Sequence, residues 1–216
     1  MSAPTPELWL LRHGATAWAL SGRHTGRTDL PLLPEGEAEA RRLAPGLAGV
    51  SFDAVLMSPL QRARRTCALA GLGERAEVCD DLREWDYGAY EGITTAEIRL
   101  SVPGWTVFSH PCPDGETIEQ VGERCGRLIE SSLERIGEHG RVALFAHGHI
   151  LRCLAGTWLG LGPAGGALLS LGTATVSVLG YERSQPVLLR WNAPVPELPA
   201  GPRIGEISRS DPPASR

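Results

Sequence analysis

The sequence predicts an α/β protein built on a mostly parallel sheet, and three observations carry that reading. Short apolar runs alternate with helical patterns over most of the 216 residues, with no internal repeat. Two of the runs, Leu8 to Leu11 and Val142 to Ala146, have the unbroken apolar character of strands buried on both faces. Both stop abruptly at histidine, the first at Arg12-His13-Gly14 and the second at His147-Gly148-His149. In open α/β sheets ligands sit at the carboxyl ends of the strands, where loops turn into helices. Two imidazoles delivered to that edge from distant parts of the chain point to one site.

Glu7 to Leu11 reads as the first buried strand. A Gly-rich loop (Ser21-Gly22 to Thr25-Gly26) leads to a helix from about Glu35, which Pro45 and Gly46 should end. Asp53 to Met57 is the second strand. Ser58-Pro59 then looks like a helix start, with serine at the cap and proline in the first turn, running to about Ala70. Ala76 to Cys79 is a short strand. From Thr117 to about Gly137, apolar residues such as Val121, Cys125, Leu128 and Ile136 recur every three or four positions, the mark of an amphipathic helix. Val142 to Ala146 follows as a strand, then a helix from His149 to about Leu159. Thr173 to Tyr181 and Val187 to Trp191 form a hairpin. The stretch from Ala193 to Arg216 holds six prolines and little periodicity, so residues 1–192 read as the domain and 193–216 as a disordered or draped tail.

Size and composition fit one soluble domain. A net charge of -4 argues against a general nucleic-acid binder. The positive charge is all arginine: the 21 basic residues include no lysine, which excludes Schiff-base chemistry and a GxxxxGK phosphate loop. Five scattered cysteines without a CxxC pair speak against a disulfide framework or structural zinc, and for a reducing compartment. With no signal peptide and no membrane-length apolar stretch, a cytoplasmic protein without a membrane partner is expected. Tryptophans expected at the surface leave a homodimer open.

Phosphoryl transfer needs fixed donors around charge spread over three oxygens, and a nucleophile in line with the leaving oxygen. Arginine is suited to this because its planar fork grips phosphate through parallel hydrogen bonds. Arg12 leaves the first strand end beside His13. Arg62 lies in the first turn of the helix that leaves the second, and His147 leaves the third. Taken singly, each has a bland reading: a histidine after a strand is often structural, and Arg62, Arg64 and Arg65 resemble a wet helix face. Three strand ends converging on one anion are harder to explain that way. A general acid must come from Asp81 to Gly92, a stretch of acids, aromatics and glycines with neither helical nor strand period. Glu84, partly desolvated by Trp85 and repelled by a bound phosphate, is a candidate, and Glu91 and Asp86 are rivals.

The chain resembles the histidine phosphatase superfamily, the phosphoglycerate mutase-like proteins. The residues that carry this are Leu11 to Thr16, Thr25-Gly26, Ser58 to Thr66, Glu84 to Gly92, Asp114-Gly115-Glu116-Thr117 and Ala146 to His149. Ser21 to Leu32 and Leu82 to Gly88 look most like the branch containing acid phosphatases and sedoheptulose-1,7-bisphosphatase. The resemblance implies a three-layer α/β/α sandwich of the phosphoglycerate mutase-like kind. It implies His13 as nucleophile, Arg12, Arg62 and His147 as the rest of the phosphate pocket, and Glu84 as acid and then base. Thr25, Gly26 and Tyr87 match family positions that contact substrate, with His149 and Arg99 as further substrate contacts. No cofactor or metal is implied, and arginines beside the His147-x-His149 pair would repel a cation. The mutases resembled carry a glutamate and an asparagine where this chain has Ala15 and Ala19, an asparagine at the place of His149, and a longer Arg-rich insertion than Thr94 to Asp114. The expected activity is therefore hydrolysis of a small phosphorylated metabolite, with a phosphoglycerate mutase as the alternative. Trp105 to His110 should shape specificity.

Overall fold

A computed structural model describes residues 5–194 of the protein. In chain order its elements are β1 (Glu7–Arg12), α1 (Ala17–Ser21), α2 (Pro34–Leu47), β2 (Ala54–Met57), α3 (Gln61–Leu69), β3 (Glu77–Val78), α4 (Thr95–Ser101), α5 (Ile118–Ile136), β4 (Arg141–Ala146), α6 (Gly148–Trp158), β5 (Val176–Glu182) and β6 (Gln185–Ala193). The sheet order is β3-β2-β4-β1-β5-β6. The first four strands in that order are mutually parallel, and the β5–β6 hairpin joins β1 antiparallel.

Strand alternation divides the apolar residues between two cores. Leu8, Leu10, Leu56, Val142, Leu144 and Ala146 face Val121, Cys125 and Leu128 of α5 and Ile150, Leu151 and Leu154 of α6. Trp9, Leu11, Val55, Met57, Ala143 and Phe145 face Leu43 and Leu47 of α2 and Cys67 of α3. The result is the three-layer sandwich, and it explains why β1 and β4 read as continuous apolar runs: both of their faces are covered.

Several local expectations change. Helix α2 does not end at Pro45 but runs to Leu47, with the Ala48 N–H closing on the Ala44 carbonyl. A proline in the last turn forfeits only one hydrogen bond, and two more residues let Leu47 reach the core. Helix α3 starts at Gln61, not at Ser58-Pro59, and its first N–H is accepted by Asp29 Oδ1 at 2.8 Å. The Ser58 hydroxyl is not a helix cap because it is recruited elsewhere, as described below. Strand β5 starts at Val176 because Ala174 turns the chain with a φ of 47°. Helix α4 is absent from the reading above, although its Thr94/Glu97 capping box stands in the sequence. Four tryptophans are buried and Trp18 and Trp191 are half-buried, so exposed tryptophan offers no dimer surface. The boundary at 192 falls within β6, where Ala193 pairs with Val176; the expected tail beyond Pro194 lies outside the described residues. No described helix is long and apolar enough to cross a membrane.

Candidate active site

Strand register builds the centre of the site. Arg12 of β1 lies opposite Ala146 of β4 in a parallel pair, so the next residue of each strand, His13 and His147, emerges at the same edge. The His13 N–H donates to the Ala146 carbonyl at 3.0 Å, and the two ring centroids stand 5.1 Å apart. On the other side of β4, Met57 of β2 lies opposite Phe145, which brings Ser58 to the same edge. Three adjacent strand ends thus deliver two imidazoles and a hydroxyl. Gly14 has a steric reason to be glycine: a Cβ there would lie 2.2 Å from the Gly36 carbonyl oxygen of α2.

The hydrogen bonds assign both imidazole tautomers. His13 Nδ1 lies 2.7 Å from the Gly14 carbonyl, which can only accept, so Nδ1 carries the proton and Nε2 keeps its lone pair. Burial, with Arg12 and Arg62 nearby, holds this ring well below the usual histidine value and hence neutral. For His147 the pattern is reversed. Arg62 Nε–H donates to Nδ1 at 3.0 Å, which leaves the proton on Nε2, and Nε2–H donates to Ser58 Oγ at 2.7 Å. Burial and the same arginines keep this ring neutral as well.

Arg62 is fully buried at the start of α3 and also donates to the carbonyls of Thr28, Thr25 and Gly26. Thr25 and Gly26 therefore meet the site through their backbone, as acceptors for Arg62. The Gly26 N–H goes to Glu91. Arg12 donates through Nη1 to the Leu171 carbonyl, while its buried Nε–H has no acceptor among the described residues. An orphaned buried guanidinium donor beside a neutral imidazole fits an oxyanion.

Glu84 reaches this centre from the loop. It is buried, as expected beside Trp85, but its oxygens accept three N–H groups: His149 at 2.9 Å, Ile150 at 2.8 Å and Trp85 at 2.9 Å. Two of these belong to the first turn of α6, the helix that His147 opens. The rivals are engaged elsewhere. Glu91 accepts from the N–H groups of Gly26 and Thr28, and Asp86 pairs with the exposed Arg27 at 2.7 Å. Among the described residues no three His, Cys, Asp or Glu side chains are grouped to hold a metal.

Beside Glu84 lies a set of rings. Tyr87 hydrogen-bonds His149 Nδ1, and the His24 ring centroid lies 4.7 Å from Tyr87, 5.2 Å from Trp105 and 5.9 Å from His149. Phe108 lies 5.4 Å from His149 and carries the Arg152 guanidinium over its face at 4.6 Å. Burial lowers His24 to about 4, and burial together with Arg152 holds His149 well below the ordinary value. Burial and Glu84 keep the Tyr87 phenol protonated. His24 and Arg152 are residues that sequence reasoning missed; the only signal for His24 was its place in the Gly-rich loop. Arg99 stands apart from the histidine pair, exposed on α4 with its Nε on the Trp105 carbonyl at 2.9 Å, where it steadies the ring-bearing loop.

This geometry meets its comparisons at the family level. The model of the histidine phosphatase superfamily (branch 1) matches residues 8–194. The chain is 39% identical over 184 residues to an acid phosphatase of Mycobacterium tuberculosis, covering 84% of this chain and 90% of that protein. It is 38% identical over 191 residues to sedoheptulose 1,7-bisphosphatase of Saccharomyces cerevisiae, covering 75% of this chain and 70% of that protein. A solved structure of a Mycobacterium tuberculosis open reading frame product shares the fold with a TM-score of 0.82 at 38% identity, covering 86% of this chain and 96% of that one. The matched span takes in both histidine-ended strands and the acid loop between them, and the chain belongs to the histidine phosphatase superfamily.

Proposed function

We propose that the protein hydrolyses small phosphomonoesters, of the sugar-phosphate kind, through a phosphohistidine on His13 and without a metal. The observation that carries this is the His13 tautomer. The Gly14 carbonyl holds the proton on Nδ1 and leaves Nε2 as a neutral nucleophile, with the unpaired Arg12 Nε–H and the buried Arg62 and His147 around it. Nε2 attacks phosphorus in line while the ester P–O bond breaks, and Glu84 gives its proton to the leaving oxygen. Water then attacks phosphorus and passes a proton to the Glu84 carboxylate. The P–N bond breaks, phosphate leaves, and the Nε2 lone pair and the Glu84 proton are restored. Arg12 and Arg62 supply the fixed positive charge that stabilises the transferring group.

Hydrolysis is favoured over mutase chemistry because a mutase must hold a bisphosphate while it reorients. The first loop offers Ala15 and Ala19 for that purpose. The phosphatase names of the two relatives point the same way, and all five cysteines are free, which suits work in the cytoplasm. The test is phosphate release across sugar phosphates, phosphoglycerates and nucleotides with a chelator present. Free phosphate is the expected product. Conversion of 3-phosphoglycerate to 2-phosphoglycerate without phosphate release would replace this reading with the mutase.

A further inference from the structure

Glu84 sits on a loop, and something must hold that loop. Arg124, in the middle of α5, is 7% exposed and forms a two-point ion pair with Glu116, Nε to Oε1 at 3.0 Å and Nη2 to Oε2 at 2.7 Å. Its Nη1 donates to the carbonyls of Asp81 and Arg83, at 2.8 and 2.6 Å. Glu116 takes hold of the chain on the other side of Glu84. Its Oε2 accepts the Asp86 N–H at 2.9 Å, its carbonyl accepts the Trp85 indole N–H at 3.0 Å, and its own N–H donates to the Asp86 carbonyl at 2.9 Å. Glu84, Glu116 and Arg124 line one cavity of about 150 Å³.

We infer that the Arg124–Glu116 pair is a positioning clamp that sets the proton-donor geometry of Glu84. This rests on Glu84 being the acid and base of the proposed reaction. An ion pair needed only to join α5 to the loop could attach anywhere along residues 80–92. This one grips residues 81, 83, 85 and 86, and the residue between those grips carries the carboxylate. The planar arginine fork engages a carboxylate and two carbonyls at once, which lysine cannot reproduce. Neither Arg124 nor Glu116 touches the phosphate pocket, so the clamp acts on proton transfer and not on the nucleophile. A misplacement of about 1 Å in a catalytic group can cost about 10²-fold in rate.

That separation gives the test. Phenyl phosphate and 4-nitrophenyl phosphate share a ring, but only the phenoxide leaving group needs a proton badly. The parameter kcat/KM covers the steps through departure of that group, so the two esters report how much the acid contributes. The variants are Arg124→Lys, Glu116→Gln and the milder Trp85→Phe, each with its thermal midpoint measured, beside Glu84→Gln and the Glu84→Gln/Arg124→Lys pair. The expected result is that Arg124→Lys and Glu116→Gln lower kcat/KM for phenyl phosphate by about tenfold or more, and for 4-nitrophenyl phosphate by less than about threefold. Trp85→Phe should shift the ratio in the same direction by less. The double variant should be no worse on phenyl phosphate than Glu84→Gln alone. If Arg124→Lys does not fold, Glu116→Gln and Trp85→Phe decide the matter. Equal losses on both esters in the clamp variants, while Glu84→Gln discriminates between them, overturn the clamp alone. Equal losses in Glu84→Gln overturn the role of Glu84 and the clamp with it.

Discussion

The proposed phosphate pocket and the proposed acid loop solve the same problem, holding a side chain still, by different means. In the pocket the register of β1, β4 and β2 sets the positions, and Arg62 follows from the first turn of α3. Backbone pairing sets the positions there, and side-chain bonds from Arg62 to His147, His147 to Ser58 and Arg12 to the Leu171 carbonyl tie the strand ends together. Between Leu82 and Thr94 the chain has no regular element longer than a single turn. Its geometry comes from side-chain bonds made by Arg124, Glu116 and Glu91. The lesson is that the pocket should survive loss of its chemistry with little change of fold, whereas the loop couples chemistry to a few buried polar contacts.

The largest expected effect lies in the pocket. His13→Ala should abolish phosphate release while circular dichroism and the thermal midpoint stay near wild type, because among the described residues the ring's only hydrogen bond is to its neighbour Gly14. A variant that unfolds would mean the pocket is not set by backbone register. Next comes the loop: Glu84→Gln should lower kcat/KM for poor leaving groups by about 10²- to 10⁴-fold.

Acid should destabilise the ring-lined side of the site. His24 is lowered from 6.5 to about 4, so below pH 6.5 the unfolded chain binds the proton and the folded one does not. Stability from this group is fully present above about 6.5 and falls as pH drops toward 4, by about 3 kcal/mol in all. His13, His147 and His149 shift in the same direction and steepen the fall. His24→Phe should flatten the profile of denaturant midpoint against pH in that window; an unchanged profile would remove His24 from this account.

A smaller effect sharpens the pocket side. Ser58→Ala strips the acceptor from the buried His147 Nε2–H and should cost about 1–3 kcal/mol in chemical denaturation. The smallest is Asp29→Ala, which uncaps α3 and should cost about 1 kcal/mol, with kcat nearly unchanged.

This contrast also explains what could be read from residues alone. The pocket was legible because strand runs and their histidine endings are local signals, and parallel pairing then brings them together. Arg62 was legible as a first-turn residue, although the start of α3 was misplaced: nothing local says that Ser58 serves His147 or that Asp29 caps the helix from a loop. Glu84 could not be separated from Asp86 and Glu91 by chemistry, because the choice depends on which carboxylate reaches the α6 N-terminus. Thr25 and Gly26 were expected as substrate contacts; their carbonyl bonds to Arg62 belong to tertiary structure and could not be read locally. His24 had no signal beyond its place in the Gly-rich loop and Arg124 had none, since one gains its meaning from stacked rings and the other from a helix crossing behind the loop.

The central claim is that His13 Nε2 becomes phosphorylated, and rapid acid-free quenching of a turnover mixture with ³²P-labelled substrate tests it most directly. The account predicts an alkali-stable, acid-labile label on the peptide containing His13, appearing before phosphate release and lost in His13→Ala. No label during turnover, or a label retained in that variant, would contradict it.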